Sequence, residues 1–153
     1  MKPVRFLKGG VASWGIVEGK TVYEVVGSVY EEPRKGKAVG ELQGLKLLAP
    51  CEPKKIVGAA MNYHSLLRDH GKNVPVEPVI FLKATTAVIA TEERIVIPPI
   101  FEPVIEEAEI GVVIRKKGRN IPPERVNEHI LGYTCFNDLT GANVEGRDNH
   151  LAR

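Results

Sequence analysis

Three acidic residues constrain this chain more than anything else in it. Glu107 and Glu109 interrupt an apolar run, Ala108, Ile110, Val112, Val113 and Ile114, that otherwise reads as a buried strand. Successive strand side chains point to opposite faces, so the two glutamates share one face. Two carboxylates aimed the same way from a core strand repel each other and are costly to desolvate. Water or a cation must therefore stand between them. A hard divalent ion held by oxygen ligands is the simplest answer. Asp138, in Phe136-Asn137-Asp138-Leu139-Thr140, can supply a third ligand. The competing reading is a solvated strand face. Against it, Gly111 and Val113 continue the face that carries the two acids, as the floor of a pocket would.

The chain has 153 residues, enough for one domain of ordinary size with a small appendage. Its formal charge of +2 is near balance, and no basic stripe is interleaved with aromatics. This argues against nucleic acid as the main partner. The apolar runs are too short to span a bilayer, and the N-terminus lacks a signal-peptide core. No membrane partner and a cytoplasmic location are therefore expected. Cys51 and Cys135 lie far apart, form no CxxC and read as two reduced thiols.

Residues 3–7, 11–17 and 21–26 read as an antiparallel meander, turning at Lys8-Gly9-Gly10 and Glu18-Gly19-Lys20. The charged, Gly- and Pro-containing stretch 31–44 reads as loop. A small N-terminal β region is placed at 1–50 and the main domain at 51–153. In the main domain, strands are predicted at 55–59, 79–83, 95–97, 106–115 and 131–136, the last delivering Asp138 into a polar turn at its exit. A short helical segment spans 64–70 with Gly71 as its stop, and another opens at Pro122-Pro123. Strands dominate and no long βαβ alternation appears. The fold class expected is α+β, mainly β.

His64, Asp69 and His70 lie on the short helical segment. A histidine beside a carboxylate can act as a general base through a water. A plain surface helix explains the same residues. No GxGxxG, P-loop or GxSxG is present.

Four segments carry a resemblance. Val57-Gly58-Ala59-Ala60-Met61-Asn62-Tyr63 resembles the glycine-rich strand and Asn-Tyr turn of the fumarylacetoacetate hydrolase family. Pro78-Val79-Ile80-Phe81-Leu82-Lys83 resembles its PxxFxK segment. Glu107 to Ile114 resembles its ExELxVVI metal strand, and Gly132 to Thr140 its GYTxxNDxT segment. The likeness runs in order over nearly the whole chain. It implies a mixed β-roll core, incomplete at the C-terminus, and a divalent metal, Mg²⁺ or else Mn²⁺ or Ca²⁺. It implies small 2-oxo or 1,3-dioxo acid substrates, handled by C–C hydrolysis, decarboxylation, enol–keto isomerisation or hydration. These reactions share one demand, stabilisation of a developing enolate. By resemblance, Glu107, Glu109 and Asp138 are the metal ligands. Lys83 is placed near the substrate carboxylate, and Asn62 and Tyr63 at the pocket mouth.

The departures point the other way. Hydrolase members carry NYxxHxxE, whose histidine and acid activate a water. The matching positions here are Leu66 and Asp69. His70, four residues after Leu66 and so on the same helical face, is the candidate replacement. Family members tend to follow the metal aspartate with Arg four residues on and Gln seven residues on. Ala142 and Glu145 stand there, so Glu145 joins the candidate substrate-binding residues and the grip on a substrate carboxylate is expected to weaken. The family also continues through a KxFDxxxPxGP stretch that would follow Arg153, so the sequence reads either as a fragment of a longer protein or as a short member of the family. Unpaired strand edges would favour a homodimer or higher oligomer. The expected activity is isomerisation or decarboxylation rather than hydrolysis. The alternative is a catalytically silent metal-binding or partner-dependent member.

Overall fold

The structure, a computed structural model, describes residues 1–141. Strands dominate and helices are few. In chain order the elements are β1 (Pro3–Lys8), β2 (Val11–Glu18), β3 (Thr21–Val26), β4 (Arg34–Glu41), β5 (Ile56–Ala60), α1 (His64–Asp69), β6 (Val79–Lys83), β7 (Val104–Ile114) and β8 (Ile130–Gly141). The chain divides into two compact units. One comprises Met1–Glu52, Ile89–Ile95 and Ala108–Asn137. The other comprises Pro53–Val88, Val96–Glu107 and, among the described residues, 138–141.

The first unit holds an antiparallel sheet in the order β1-β2-β3-β4. Gly9 and Gly10, at φ +55° and +83°, make the first hairpin turn in a conformation that L side chains resist. Phe6 and Val22 are fully enclosed, with Ile16 and Val29 buried. Each such side chain contributes roughly 1.5–3 kcal/mol by leaving water. Gly15 makes room for them, since a Cβ there would lie 2.5 Å from Val22 Cγ1 and 3.0 Å from Phe6 Cε1.

The loop predicted over 31–44 is instead β4 followed by a 3-10 turn at Leu42–Gly44. Backbone pairing with β3 overrides the poor strand propensity of this charged stretch. Its position at the sheet edge explains its composition. Lysines, glycines and register shifts around Tyr23 blunt an edge that would otherwise recruit another strand. Lys35 pairs with Glu18 at 2.7 Å and lies 4.6 Å over the Tyr23 ring.

In the second unit β5 and β6 pair antiparallel, from Ile56 opposite Lys83 to Ala60 opposite Val79. Gly58 lies directly under the Phe81 ring, where a Cβ would fall 2.2 Å from Cζ. Met61 then turns the chain at φ +55°, and α1 runs to a stop at Gly71, φ +62°. Leu67 is the buried residue of α1. The strand predicted at 95–97 does not form. Pro98 and Pro99 remove two donors beside it, and three residues make too short a ladder.

β7 and β8 form a two-stranded sheet. Thr140 reaches Glu107, while Thr134 and Phe136 lie over Gly111, so contacts run in opposite directions along the two strands. The segment opened by Pro122 is a 3-10 turn, Pro123–His129. His129 is buried, its Nδ1 donating to the Lys116 carbonyl at 3.1 Å, which is a structural role. β8 is longer than predicted. Asp138 lies inside it rather than in an exit turn, which overturns the turn reading. The apolar run of β7 was expected to be buried, yet Ile110, Val112 and Ile114 are exposed. Their half of the alternation faces away from the acids, and nothing among the described residues covers it. Both cysteines are free thiols. No helix among the described residues is long and apolar enough to cross a membrane.

Candidate metal centre

Glu107, Glu109 and Asp138 each present a carboxylate oxygen, and these atoms all lie within 4.8 Å of one another. The alternation of β7 puts both glutamates on one face, and β8 brings Asp138 to the same place. Exposure falls across the three: Glu107 is exposed, Glu109 half-buried and Asp138 buried. No other set of three His, Cys, Asp or Glu ligand atoms converges in this way among the described residues.

Two neighbours organise the carboxylates. Thr140 Oγ1 donates to Glu107 Oε2 at 3.3 Å. Lys83, at the end of β6, donates from Nζ to the Leu139 carbonyl at 2.8 Å and forms an ion pair with Asp138 Oδ1. Both ends of that pair are enclosed, with side-chain exposures of 11% and 4%. The Lys83 ammonium is the close partner of Asp138 Oδ1.

These residues fit a hard divalent cation. Oxygen ligands sit about 2.0–2.6 Å from Mg²⁺ or Ca²⁺, so donors on opposite sides of one ion are about 4–5 Å apart. The observed spread lies within that span. All three donors are carboxylate oxygens, the ligand type such an ion takes.

The remaining candidates are placed differently. Asn62 and Tyr63 form the turn into α1, with the Tyr63 ring exposed. Asp69 ends α1 and is exposed, 3.9 Å from its neighbour Arg68. His70 caps α1 through its backbone N–H to the Leu66 carbonyl. Neither Asp69 nor His70, nor His64, joins a ligand cluster. Glu145, with Ala142, lies outside the described residues. Surface grooves of about 590 and 480 Å³ open on the β1–β4 sheet, and no candidate residue lines either. The candidate chemistry lies with the acids, not with these grooves.

Residues 55–151 match the family described as fumarylacetoacetate (FAA) hydrolase, C-terminal. The chain belongs to the fumarylacetoacetate hydrolase family. Residues 1–50 match a second description, Rv2993c-like, N-terminal. An uncharacterised protein of Archaeoglobus fulgidus is 36% identical over 94% of this chain and 55% of its own length. Human oxaloacetate tautomerase FAHD2A, a mitochondrial protein, is 34% identical over 67% of this chain and 33% of its own. Among solved structures, 2-hydroxyhepta-2,4-diene-1,7-dioate isomerase from Mycobacterium marinum superposes with a TM-score of 0.86 at 27% identity, over 100% of this chain and 60% of that one. Fumarylacetoacetate hydrolase from Exiguobacterium antarcticum gives 0.79 at 25% identity, over 96% and 58%. The chain thus spans about half the length of the curated relatives at most. Members of the fumarylacetoacetate hydrolase family among these relatives are isomerases, hydrolases and tautomerases, and the family typically depends on a divalent metal.

Sequence reasoning assigned no role to Thr140 or to the Leu139 carbonyl. Thr140 was available, since it closes the GYTxxNDxT segment two residues after Asp138 and so shares its face. The carbonyl carries no sequence signal.

Proposed function

We propose that this chain forms part of a divalent-metal-dependent enzyme that converts small 2-oxo acids by enolate chemistry, isomerisation or decarboxylation in preference to C–C hydrolysis. The observation that carries the reading is the convergence of Glu107, Glu109 and Asp138 on one face of the β7–β8 sheet. The three carboxylates would hold Mg²⁺, with Mn²⁺ or Ca²⁺ as substitutes. Such an ion supplies a Lewis acid where negative charge develops on the substrate oxygen. Thr140 fixes the Glu107 carboxylate, and Lys83 places a cation beside Asp138. Asn62, Tyr63 and Glu145 are assigned to the substrate, and Asp69 and His70 to proton handling. Leu66 offers no proton acceptor where hydrolase members carry histidine, which supports tautomerisation over attack by water.

The same reading includes a mixed β-roll core, a division at about residue 50 between the N-terminal region and the catalytic domain, a cytoplasmic location and a homodimer. The exposed Ile110, Val112 and Ile114 support association.

The test is keto–enol interconversion of oxaloacetate followed in the ultraviolet, with Mg²⁺ or Mn²⁺ and with excess chelator. Metal-dependent turnover that disappears in Glu109→Gln is expected, and undiminished turnover in chelator overturns the reading. A second reading, a catalytically silent metal-binding member, is favoured by Leu66. Its signature is metal-dependent thermal stabilisation without turnover of any 2-oxo acid.

A further inference from the structure

We propose that Lys83 is a resident counter-cation of the acidic site, standing in for the divalent ion at Asp138 and competing with it. This rests on the metal site proposed above and concerns the metal-free protein. Asp138 is one of the buried polar side chains among the described residues, and buried acids are ordinarily paired. The partner present is the Lys83 ammonium, itself enclosed. One of its three N–H groups goes to the Leu139 carbonyl, so Nζ is held in place by the backbone of β8 as well as by Asp138. The ammonium thus sits against the Asp138 carboxylate, one of the three that would hold the divalent ion.

The arrangement has two consequences. In the absence of metal, Lys83 limits the cost of collecting three carboxylates within 4.8 Å. In the presence of metal, the same ammonium repels the arriving dication at close range. Lys83 is thus a positioning residue that sets metal affinity. It trades tight binding for a site that stays assembled when the metal leaves.

Two substitutions in the full chain separate charge from tether. Lys83→Gln removes the charge but keeps an N–H donor for the Leu139 carbonyl. Lys83→Met removes both. Mn²⁺ affinity is read by calorimetry, and thermal melting is followed with and without Mn²⁺. Lys83→Gln is expected to bind Mn²⁺ about tenfold more tightly, the scale of removing one like charge near a dication in a partly screened site. Its metal-free form melts lower, so the metal-induced rise in melting temperature grows. Lys83→Arg restores wild-type behaviour. A residue with only a structural role would lower both melting temperatures together and leave affinity unchanged or weaker, and that result overturns the proposal. If Lys83→Met fails to fold, Lys83→Gln decides alone. If wild-type protein shows no Mn²⁺ binding, the metal site itself falls and the proposal with it. If wild type binds and Lys83→Gln binds no tighter, only the role of Lys83 falls.

Discussion

Thr140 Oγ1 donates to Glu107 Oε2 at 3.3 Å, joining β8 to β7 at the most exposed of the three candidate ligands. An exposed carboxylate on a strand ordinarily samples several rotamers, and each must be given up when it binds an ion. The hydroxyl reduces that loss before any ion arrives. Partners of this kind around metal ligands are typically worth about 10–100-fold in affinity. Thr140→Val, which keeps the β-branched shape and removes the donor, is expected to weaken Mn²⁺ binding toward the lower end of that range. Thr140→Ser is expected to retain affinity. Calorimetric titration of both variants checks this, and an unchanged Thr140→Val affinity refutes it.

Asp138→Asn tests the buried ligand. The amide is neutral and leaves Lys83 without its anion. Breaking an enclosed ion pair from one side costs about 3–5 kcal/mol, because the remaining charge is uncompensated. The variant is expected to unfold at distinctly lower denaturant and to show no thermal stabilisation by Mg²⁺. Retention of a metal-induced shift would remove Asp138 from the ligand set.

Leu66 permits a gain-of-function experiment. It is exposed on α1, so a histidine can replace it without disturbing the buried Leu67. The resemblance places the water-activating histidine of hydrolase members at this position, three residues before Asp69. If the missing proton acceptor is what disfavours hydrolysis, Leu66→His should raise metal-dependent cleavage of an acylpyruvate above wild type. Product formation is read by loss of the enol absorbance, and no increase would place the limit elsewhere.

What the sequence made legible follows from what each feature depends on. The shared face of Glu107 and Glu109 depends only on strand alternation, so it could be read directly, as could the hairpin at Gly9-Gly10. Asp138 lies beside the two glutamates, but within a strand and not in the turn expected of it, since Asn-Asp is a poor strand pair. Pairing with β7 and an ion pair with Lys83 hold it in the ladder. β4 was unreadable for a similar reason: an edge strand carries the charges and glycines that locally signal loop. The exposed face of Ile110, Val112 and Ile114 was misread because alternation gives which side chains point together, not what lies opposite them.

Gly15 offers a test of the first unit's core. A methyl group added there meets Val22 Cγ1 at 2.5 Å, Phe6 Cε1 at 3.0 Å and the Tyr23 carbonyl at 3.0 Å. Phe6 and Val22 are fully enclosed and cannot swing away, and the carbonyl belongs to a paired strand. Gly15→Ala is therefore expected to destabilise by about 1–3 kcal/mol, the usual cost of overpacking. Urea melts followed by Trp14 fluorescence measure it, and a neutral result would mean that this core is looser than its burial implies.

The same unit should lose stability in alkali. Burial pushes the Cys51 thiol up, opposed by the Arg5 guanidinium. Burial also pushes the Tyr30 hydroxyl up, reinforced by Cys51. Both groups hold their protons more tightly folded than unfolded. Their contribution is fully present below the unfolded values, about 8.5 for a thiol and about 10 for a tyrosine, and is lost as pH rises through the folded ones. Trp14 packs edge-on against Tyr30, with ring centroids 5.9 Å apart, and is the chain's only tryptophan, so its fluorescence reports this region. Denaturation midpoints should be level near neutrality and fall from about pH 8.5 upward. Cys51→Ala should delay the fall toward the tyrosine range. A midpoint that is flat through that range, or a Cys51→Ala profile identical to wild type, would show that these protons are not linked to folding.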